Sequence, residues 1–378
     1  MKLTVGDLFC GTGGFSYGFC QTGHFEVVLG VDIRPSSAET FAANHPGAIT
    51  VRNDIRKVRI ADVAERLGRG TQSLDVLIGG PPCQGFSSIR PFRSINENDE
   101  RNTLFEQFVL YIKFFRPRFV VFENVVGLLH HNRGNTLSSI KKSIEAVGYA
   151  VDYSVLNGVA YGVPQRRERV ILLGRKNGKA APLFPKPTHE SNGRSMARGK
   201  VLSALPLFSK PLQPALTLRD AISDLPPIES GGSATVYDGN ALTSDYAKAR
   251  RRGCTNLTMH SSTRHTPKML EIIRLAGTNR WALPEGLTSS GFSSCYSRLS
   301  FDEPSTTITV NFVHPASNRC IHPAQDRALT PREGARIQGF DDDFIFCGSR
   351  TEVVKQIGEA VPPLLGSAIA NALISQWD

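Results

Sequence analysis

Short apolar runs alternate with amphipathic segments along the first half of the chain, which predicts buried strands joined by helices. The predicted strands are residues 3–9, 26–31, 48–51, 74–78, 119–122, 150–156 and 170–174. The predicted helices are a segment ending near Thr22 and residues 55–67, 102–115 and 135–147. This alternation is typical of a doubly wound α/β fold with a largely parallel sheet.

The pattern changes at about Pro185 to proline, glycine, serine and arginine with little periodicity. We therefore expect a second, smaller and irregular domain over residues 185–325, with short helices at 217–226 and 269–276 and a β-branched strand at 306–309. Thr330 and Pro331 are suited to the N-cap and first position of an amphipathic helix. A final apolar helix is predicted at 363–374.

Composition narrows the class of protein. Of 378 residues, 40% are hydrophobic and 21% charged, as in soluble globular proteins, and no apolar run approaches the roughly 20 residues that span a bilayer. The first residues show no secretory signal, and seven cysteines suit free thiols in a reducing cytoplasm. A net charge of +10 favours an anionic partner, nucleic acid first, although a solvated basic surface explains it equally simply.

Cys83 lies in the sequence GGPPCQGFSS, directly after a predicted strand. Two prolines before it and Gly85 after it restrict the loop and aim the thiol. One alternative is an inert buried cysteine, but such residues are seldom found between prolines and glycines. The other is a metal ligand, but the chain has no CxxC pair and no HxxxH, so no metal site is expected. A nucleophile is the better interpretation.

The glycine turn after the first strand contains Gly11, Gly13 and Gly14, and the second strand ends at Asp32. Backbone N–H groups at such a turn approach a ligand closely, and an acid about 20 residues later suits the hydroxyls of a ribose. The spacing matches neither the dinucleotide fingerprint nor a P-loop, so S-adenosylmethionine fits best. Asp54 suits either an adenine amino group or a helix N-cap.

Glu123 follows four apolar residues, where a carboxyl is costly unless it is paired or functional. Its strand and the strand before Cys83 are expected in one sheet, so that thiol and carboxyl face one substrate. The run QRRER, residues 165–169, is either a solvated charged surface or a set of guanidinium groups presented to a ligand.

Together these motifs resemble those of the cytosine-5 DNA methyltransferases, over residues 3–174 and 327–373. The motifs that carry the resemblance are DLFCGTGGF, Asp32, Asn53-Asp54-Ile55, GGPPCQGFS, RNTLF, FENV, QRRER, ALTPREGARIQGF and QIGEAVPPLLGSAIA. PPCQ, ENV and QRRER are very specific as a set. The resemblance implies a mixed sheet of the S-adenosylmethionine-dependent methyltransferase type, a catalytic domain of residues 1–184 and 326–378, and target recognition by residues 185–325.

For catalysis, the resemblance implies that Cys83 attacks carbon 6 of a cytosine rotated out of duplex DNA. Glu123 would hold and protonate ring nitrogen 3, and carbon 5 would then take the methyl group. Arg167 and Arg169 would steady the base and the acid. These roles agree with elementary chemistry, because cytosine is a poor electrophile that needs both a thiolate and an acid. Neither side chain can reach a base that is stacked inside the duplex.

For the cofactor, the resemblance implies a pocket formed by the glycine turn, the Asp32 segment, the Asp54 segment and the final motif. Its residues are Phe9, Gly11, Gly13, Gly14, Asp32, Ile33, Asp54, Ile55, Pro81, Leu104, Glu359 and Ala360. Ile33 stands where many relatives have an aromatic, so aliphatic packing on adenine is expected. Glu359 stands where the family usually has asparagine. Either its side chain turns outward to an arginine, or it changes which sulfonium cofactor is accepted.

DNA contacts are expected from Gln84 and Ser87 in the cysteine loop and from Arg250, Arg251 and Arg252, although the basic run can also be plain surface charge. The sequence favours a cytoplasmic, monomeric enzyme of a prokaryotic restriction-modification system, with a restriction endonuclease acting on the same site and no membrane partner. A relative that methylates tRNA and a non-catalytic DNA-binding homologue are the alternatives. The basic middle segment favours DNA, and the intact catalytic set favours an enzyme.

Overall fold

The computed structural model describes residues 2–68, 74–82, 104–178, 180–191, 211–239, 243–284, 286–288 and 294–377. Its strands are β1 (Leu3–Leu8), β2 (Phe25–Asp32), β3 (Ile49–Arg52), β4 (Val76–Gly79), β5 (Phe119–Val125), β6 (Tyr149–Asn157) and β7 (Glu168–Lys176). Within these residues they form a seven-stranded sheet in the order β3-β2-β1-β4-β5-β7-β6. Strands β1 to β5 run parallel, and β7 runs antiparallel to β5 and β6. The sheet is therefore mixed, as predicted.

The strand order reverses between β1 and β4, which leave their carboxyl ends side by side. Such a switch point leaves a crevice above the sheet, because the two following loops turn to opposite sides. The loops after β2 and β5 flank this crevice, because β2 pairs with β1 and β5 pairs with β4. The predicted site segments that follow β1, β2, β4 and β5 thus meet at one edge.

Helices cover both faces of the sheet. In chain order they are α1 (Gly14–Gln21), α2 (Pro35–Asn44), α3 (Ile60–Leu67), α4 (Leu104–Phe115), α5 (Asn135–Ala146), α6 (Leu218–Ile222), α7 (Asp245–Arg251), α8 (Pro267–Leu275), α9 (Pro331–Gln338), α10 (Arg350–Glu359) and α11 (Pro363–Ile374). Helices α3, α4 and α5 share one apolar core with the sheet, and α1, α2 and α11 share the opposite one.

Helix α11 returns to the first part of the chain and packs on α1, as the resemblance implies. A Cβ atom on Gly18 would overlap the carbonyl oxygen of Pro363, so only glycine permits this close crossing. By length and composition the stretch from Arg350 to Ile374 could span a membrane, but it is two helices, and 56% of its most apolar window is buried in protein.

A second core lies away from the sheet. Apolar residues of α6, α7, α9 and α10 form it together with Tyr237, Leu257, Leu299, Ile308 and Phe312. Residues 331–359 therefore pack with the middle segment, whereas the predicted domain boundary groups them with the sheet. The separate target-recognition domain stays a prediction.

One local prediction needs correction, and two helices were not predicted. Residues 306–309 form no strand: the Ile308 N–H donates to the side chain of Gln165, and the Thr307 hydroxyl donates to the carbonyl of Arg166. Hydrogen bonds that involve side chains thus take the place of the backbone hydrogen bonds between neighbouring strands. The sequence also predicted neither α7 nor α10, because their apolar positions are few and a basic run obscures the first.

Candidate active site

A cavity of about 550 Å³ opens at the carboxyl ends of β1, β2, β4 and β5. Apart from Gly13, every predicted cofactor residue lines it. The predicted residues on its wall are Phe9, Gly11, Gly14, Asp32, Ile33, Asp54, Ile55, Pro81, Leu104, Glu359 and Ala360, together with Glu123 and Arg169. Residues more than 300 positions apart in the sequence therefore share one site.

Gly13 lies behind the wall of the cavity, so its place differs from the prediction. Its φ of 77° is left-handed, and a Cβ atom there would lie 2.8 Å from Phe41 and 2.9 Å from His45. Glycine at this position allows α1 to begin against α2. Gly13 thus shapes the turn without facing a ligand.

The carboxylate of Asp32 is fixed by two backbone groups. Its Oδ2 atom accepts a hydrogen bond from the Gly11 N–H at 2.9 Å, and its Oδ1 atom accepts one from the Arg34 N–H at 2.8 Å. Each oxygen keeps a further lone pair, so the carboxylate can still accept bonds from a ligand's hydroxyls. The turn and the acid that the sequence predicted are therefore one hydrogen-bonded unit.

Asp54 has the helix-capping role that one of the two interpretations predicted, while its contact with an adenine stays a prediction. It caps the short helical turn at Ile55–Lys57 by accepting a hydrogen bond from the Arg56 N–H at 3.0 Å, and it also lines the cavity. Hydrogen bonds from the Arg56 side chain lower the pKa of Asp54. An ionised acceptor therefore stands at this wall.

Asp7 is a site residue that sequence reasoning missed. It is 2% exposed at the end of β1 and lines the cavity, and its Oδ2 atom has no hydrogen-bond partner among the described residues. Burial, and to a smaller extent the charge of Asp32, raises the pKa of Asp7 to about 8, although a hydrogen bond from Ser16 opposes the shift. An acidic residue inside a buried strand was the available signal.

Glu123 stands where β5 meets the neighbouring end of β4. Gly79 pairs with Phe122 in the parallel ladder, and a Cβ atom on Gly80 would lie 2.8 Å from the Glu123 carboxylate. The Asn124 amide donates to the Pro81 carbonyl at 3.0 Å and ties the two loops together. The predicted adjacency of these strand ends is confirmed. Cys83 itself lies outside the described residues, as do Gln84 and Ser87.

Glu123 forms an ion pair with Arg169, whose Nε lies 2.7 Å from Oε1. Both side chains are about nine-tenths buried, at 10% and 11% exposure. Burial raises the pKa of Glu123, and the charges of Arg169 and Arg167 oppose that shift. The carboxyl can therefore hold a proton more readily than an exposed glutamate, which a general acid requires.

Arg167 is completely buried and does not line the cavity. Its guanidinium donates to the carbonyls of Ile308, at 3.1 Å, and Gly358, at 2.9 Å. It therefore joins the start of β7 to the segment 306–309 and to the final motif. The expected contact of Arg167 with a base is replaced by a supporting position behind Arg169.

Glu359 pairs with Arg34 and still lines the cavity. Both alternatives for this residue thus retain support, since the carboxylate meets an arginine without leaving the site. The sequence did not single out Arg34.

The three predicted DNA-binding arginines are occupied by protein partners. Arg250 pairs with Asp341 at 2.8 Å and is 13% exposed, and Arg252 pairs with Asp341 at 3.1 Å. The guanidinium of Arg251 stacks 3.6 Å from the ring centre of Tyr237. These contacts attach α7 to the second core and give all three arginines a structural explanation.

Metal binding was not expected, and the described residues contain no group of three or more histidine, cysteine, aspartate or glutamate side chains placed to hold an ion.

The chain is similar to proteins of one family over almost its whole length. The profile described as C-5 cytosine-specific DNA methylase matches residues 3–375. Type II methyltransferase M1.HphI of Haemophilus parahaemolyticus is 34% identical, over 99% of this chain and 87% of that protein. Type II methyltransferase M.AgeI of Thalassovita gelatinovora is 33% identical, over 97% of this chain and 98% of that protein. The crystal structure of a DNA modification methyltransferase encoded within an E. coli prophage superposes with a TM-score of 0.73 at 23% identity, covering 99% of both chains.

Proposed function

The chain belongs to the C-5 cytosine-specific DNA methylase family, and we propose that it transfers a methyl group from S-adenosylmethionine to a flipped-out cytosine through a covalent bond to Cys83. Membership makes it an enzyme, a DNA cytosine-5 methyltransferase. One observation carries the finer proposal. A single cavity is lined by Glu123, by Gly11 and Gly14 of the turn, and by Pro82, which directly precedes Cys83.

The volume of the cavity, about 550 Å³, and the acidic residues on its wall support S-adenosylmethionine as the donor. Asp32 would accept hydrogen bonds from the ribose hydroxyls, and Ile33 and Leu104 would pack on the adenine. The buried carboxyl of Asp7, whose Oδ2 lacks a partner among the described residues, would face the positive charge of the donor. When bound, the donor supplies an electrophilic methyl group on a sulfonium.

Cys83 would act as the nucleophile. Its thiolate forms a bond to carbon 6 of cytosine, and the electron pair of the 5,6 double bond shifts into the ring toward nitrogen 3. Glu123 would give its proton to nitrogen 3, which would leave an electron-rich carbon 5. Carbon 5 would then take the methyl group, whose bond to the sulfonium sulfur breaks and leaves a neutral thioether. Loss of the carbon 5 proton to a base then expels the thiolate and restores the double bond, and Glu123 recovers its proton from nitrogen 3.

Two arginines would support Glu123. Arg169 holds the carboxyl in place through its 2.7 Å contact and stabilises the carboxylate after proton transfer. Arg167 acts from behind by fixing Gly358 and Ile308, so it positions the wall of the cavity. Removing Arg167 would therefore weaken cofactor binding and stability together.

A methylation assay tests the proposed reaction. The purified chain is incubated with S-adenosylmethionine and a duplex DNA library, and bisulfite sequencing locates 5-methylcytosine. We expect methylation in one sequence context, and none with Cys83→Ser. Methyl transfer to tRNA but not to duplex DNA would contradict the proposed substrate.

The cellular setting is also a proposal. M1.HphI and M.AgeI are named Type II methyltransferases, which supports a restriction-modification system with an endonuclease that cuts the same sequence. We propose a cytoplasmic monomer acting on double-stranded DNA, with Gln84 and Ser87 contacting the DNA near the flipped base.

A further inference from the structure

The ion pair between Arg34 and Glu359 lies at an unexpected place. Arg34 is the N-cap of α2 and Glu359 is the last residue of α10, so each charge lies at the helix end where the macrodipole disfavours it. The two side chains are 37% and 35% exposed, and such pairs contribute little to stability. Both nevertheless line the cofactor cavity. Their contact therefore calls for a role other than stability.

Arg34 also lies next to the proposed ribose acceptor. Its backbone N–H donates to Oδ1 of Asp32 at 2.8 Å, and its Nε atom lies only 4.0 Å from the same oxygen. A small rotation of the side chain would bring the guanidinium into direct hydrogen bonds with Asp32, and arginine–carboxylate pairs of this kind are strong. Those bonds would use the lone pairs that a ribose needs.

We propose that Glu359 holds the guanidinium of Arg34 away from Asp32 and so keeps Asp32 available to the ribose. This inference rests on the proposed function, because it takes Asp32 as the ribose acceptor. Glu359 is then a positioning residue that acts through Arg34 and needs no contact with the donor.

The proposal differs in its consequences from a direct role of Glu359. If Glu359 touched the donor, its removal would matter whether or not Arg34 were present. If it acts through Arg34, removing Glu359 should harm binding only while Arg34 remains to capture Asp32. Comparing the two single variants, at Glu359 and at Arg34, with the double variant therefore distinguishes direct contact with the donor from action through Arg34.

The experiment is calorimetric titration of the 378-residue chain without DNA. The ligands are S-adenosylhomocysteine and methylthioadenosine, which keeps the ribose but lacks the amino-acid part. We expect Glu359→Gln to weaken the binding of both ligands by about fivefold, which corresponds to roughly 1 kcal/mol. Arg34→Gln and the double variant should each bind within about twofold of wild type, because no guanidinium is left to compete.

A matched control is Glu39→Gln, which breaks the exposed pair of Glu39 with Arg52 outside the cavity and should change neither affinity. Thermal unfolding confirms that each variant is folded. Three results would overturn the inference. The double variant could lose as much affinity as Glu359→Gln, the loss of affinity could be confined to S-adenosylhomocysteine, or Glu359→Gln could lose no affinity at all. If the wild-type chain methylates DNA and Glu359→Gln binds both ligands as tightly as the wild type, the inference about Glu359 is refuted and the proposed reaction is not. The expected binding pattern without methyl transfer to DNA refutes the proposed reaction alone.

Discussion

Two buried carboxyl groups at the cofactor cavity and two in the second core have pKa values that are shifted in opposite directions. Asp7 and Glu123 at the cavity are 2% and 8% exposed, and burial raises the pKa of each. Glu333 and Asp342 in the second core are 1% and 6% exposed. Burial also disfavours their charge, but neighbouring arginines outweigh it and lower the pKa of both.

The number of partners makes the difference. Glu333 accepts hydrogen bonds from Arg327 at 2.7 and 2.9 Å and from the Thr330 N–H at 2.7 Å. Asp342 accepts bonds from Arg332 at 2.9 Å and from Arg336 at 2.6 Å. At the cavity, Oδ2 of Asp7 has no partner in the described part of the chain. A carboxyl group whose hydrogen-bonding network is complete is held in one protonation state. A carboxyl group with an incomplete network can still accept a proton or bind a ligand.

The largest expected effect is on catalysis at Glu123. Glu123→Gln keeps an oxygen for Arg169 but cannot give a proton to the base, so kcat should fall by about 10²- to 10⁴-fold. Methyl transfer to duplex DNA measures the loss, and titration with S-adenosylhomocysteine should show cofactor affinity within about threefold of wild type. A rate near that of wild type would remove Glu123 from the mechanism.

The second core should respond in stability. Glu333→Gln leaves Arg327 buried without its charged partner, which costs about 3–5 kcal/mol of unfolding free energy. Urea unfolding measures it. Glu352→Gln is a matched control, since Glu352 occupies the same third position of a capping box in α10 but is exposed, and its loss of unfolding free energy should be much smaller than that of Glu333→Gln. Equal losses would show that the buried network adds nothing to the cap.

A smaller effect should separate the regions by pH. The pKa of Asp7 rises from 3.8 to about 8 on folding, so its contribution to stability is fully present at low pH and is lost as pH rises toward 8. Relative to Asp7→Asn, the wild type should lose up to about 1.4 kcal/mol of unfolding free energy per pH unit between about pH 5 and 7. Urea unfolding at several pH values tests this. Parallel curves for the two proteins would mean that Asp7 is ionised in the folded state.

Much of the sheet and the cavity could be predicted from sequence, because local patterns encode them. Apolar runs gave the strands, and the residues that end those runs, such as Asp32 and Glu123, necessarily collect at one edge of a parallel sheet. Helix α11 and the cap at Thr330 also agree with prediction. The specific motifs supplied the family.

The second core could not be predicted in the same way, because its contacts join residues far apart in the chain. Arg336 pairs with Asp224, 112 positions away, and nothing in the local sequence marks either as buried. The basic run at Arg250 and Arg252 has the appearance of a phosphate-binding surface, yet both side chains pair with Asp341. The pairing of Glu359 with Arg34 likewise depends on the fold.

The proposed reaction requires Cys83 and Glu123 to act on one cytosine. The most direct measurement uses duplex DNA in which the target cytosine is 5-fluorocytosine, whose fluorine cannot leave as a proton does. We predict a covalent complex that forms only with S-adenosylmethionine, that mass spectrometry assigns to the peptide containing Cys83, and that forms far more slowly with Glu123→Gln. The proposed reaction would be contradicted if no covalent complex formed with a DNA sequence that the enzyme methylates when it contains ordinary cytosine. Attachment of the DNA through another cysteine would contradict it as well.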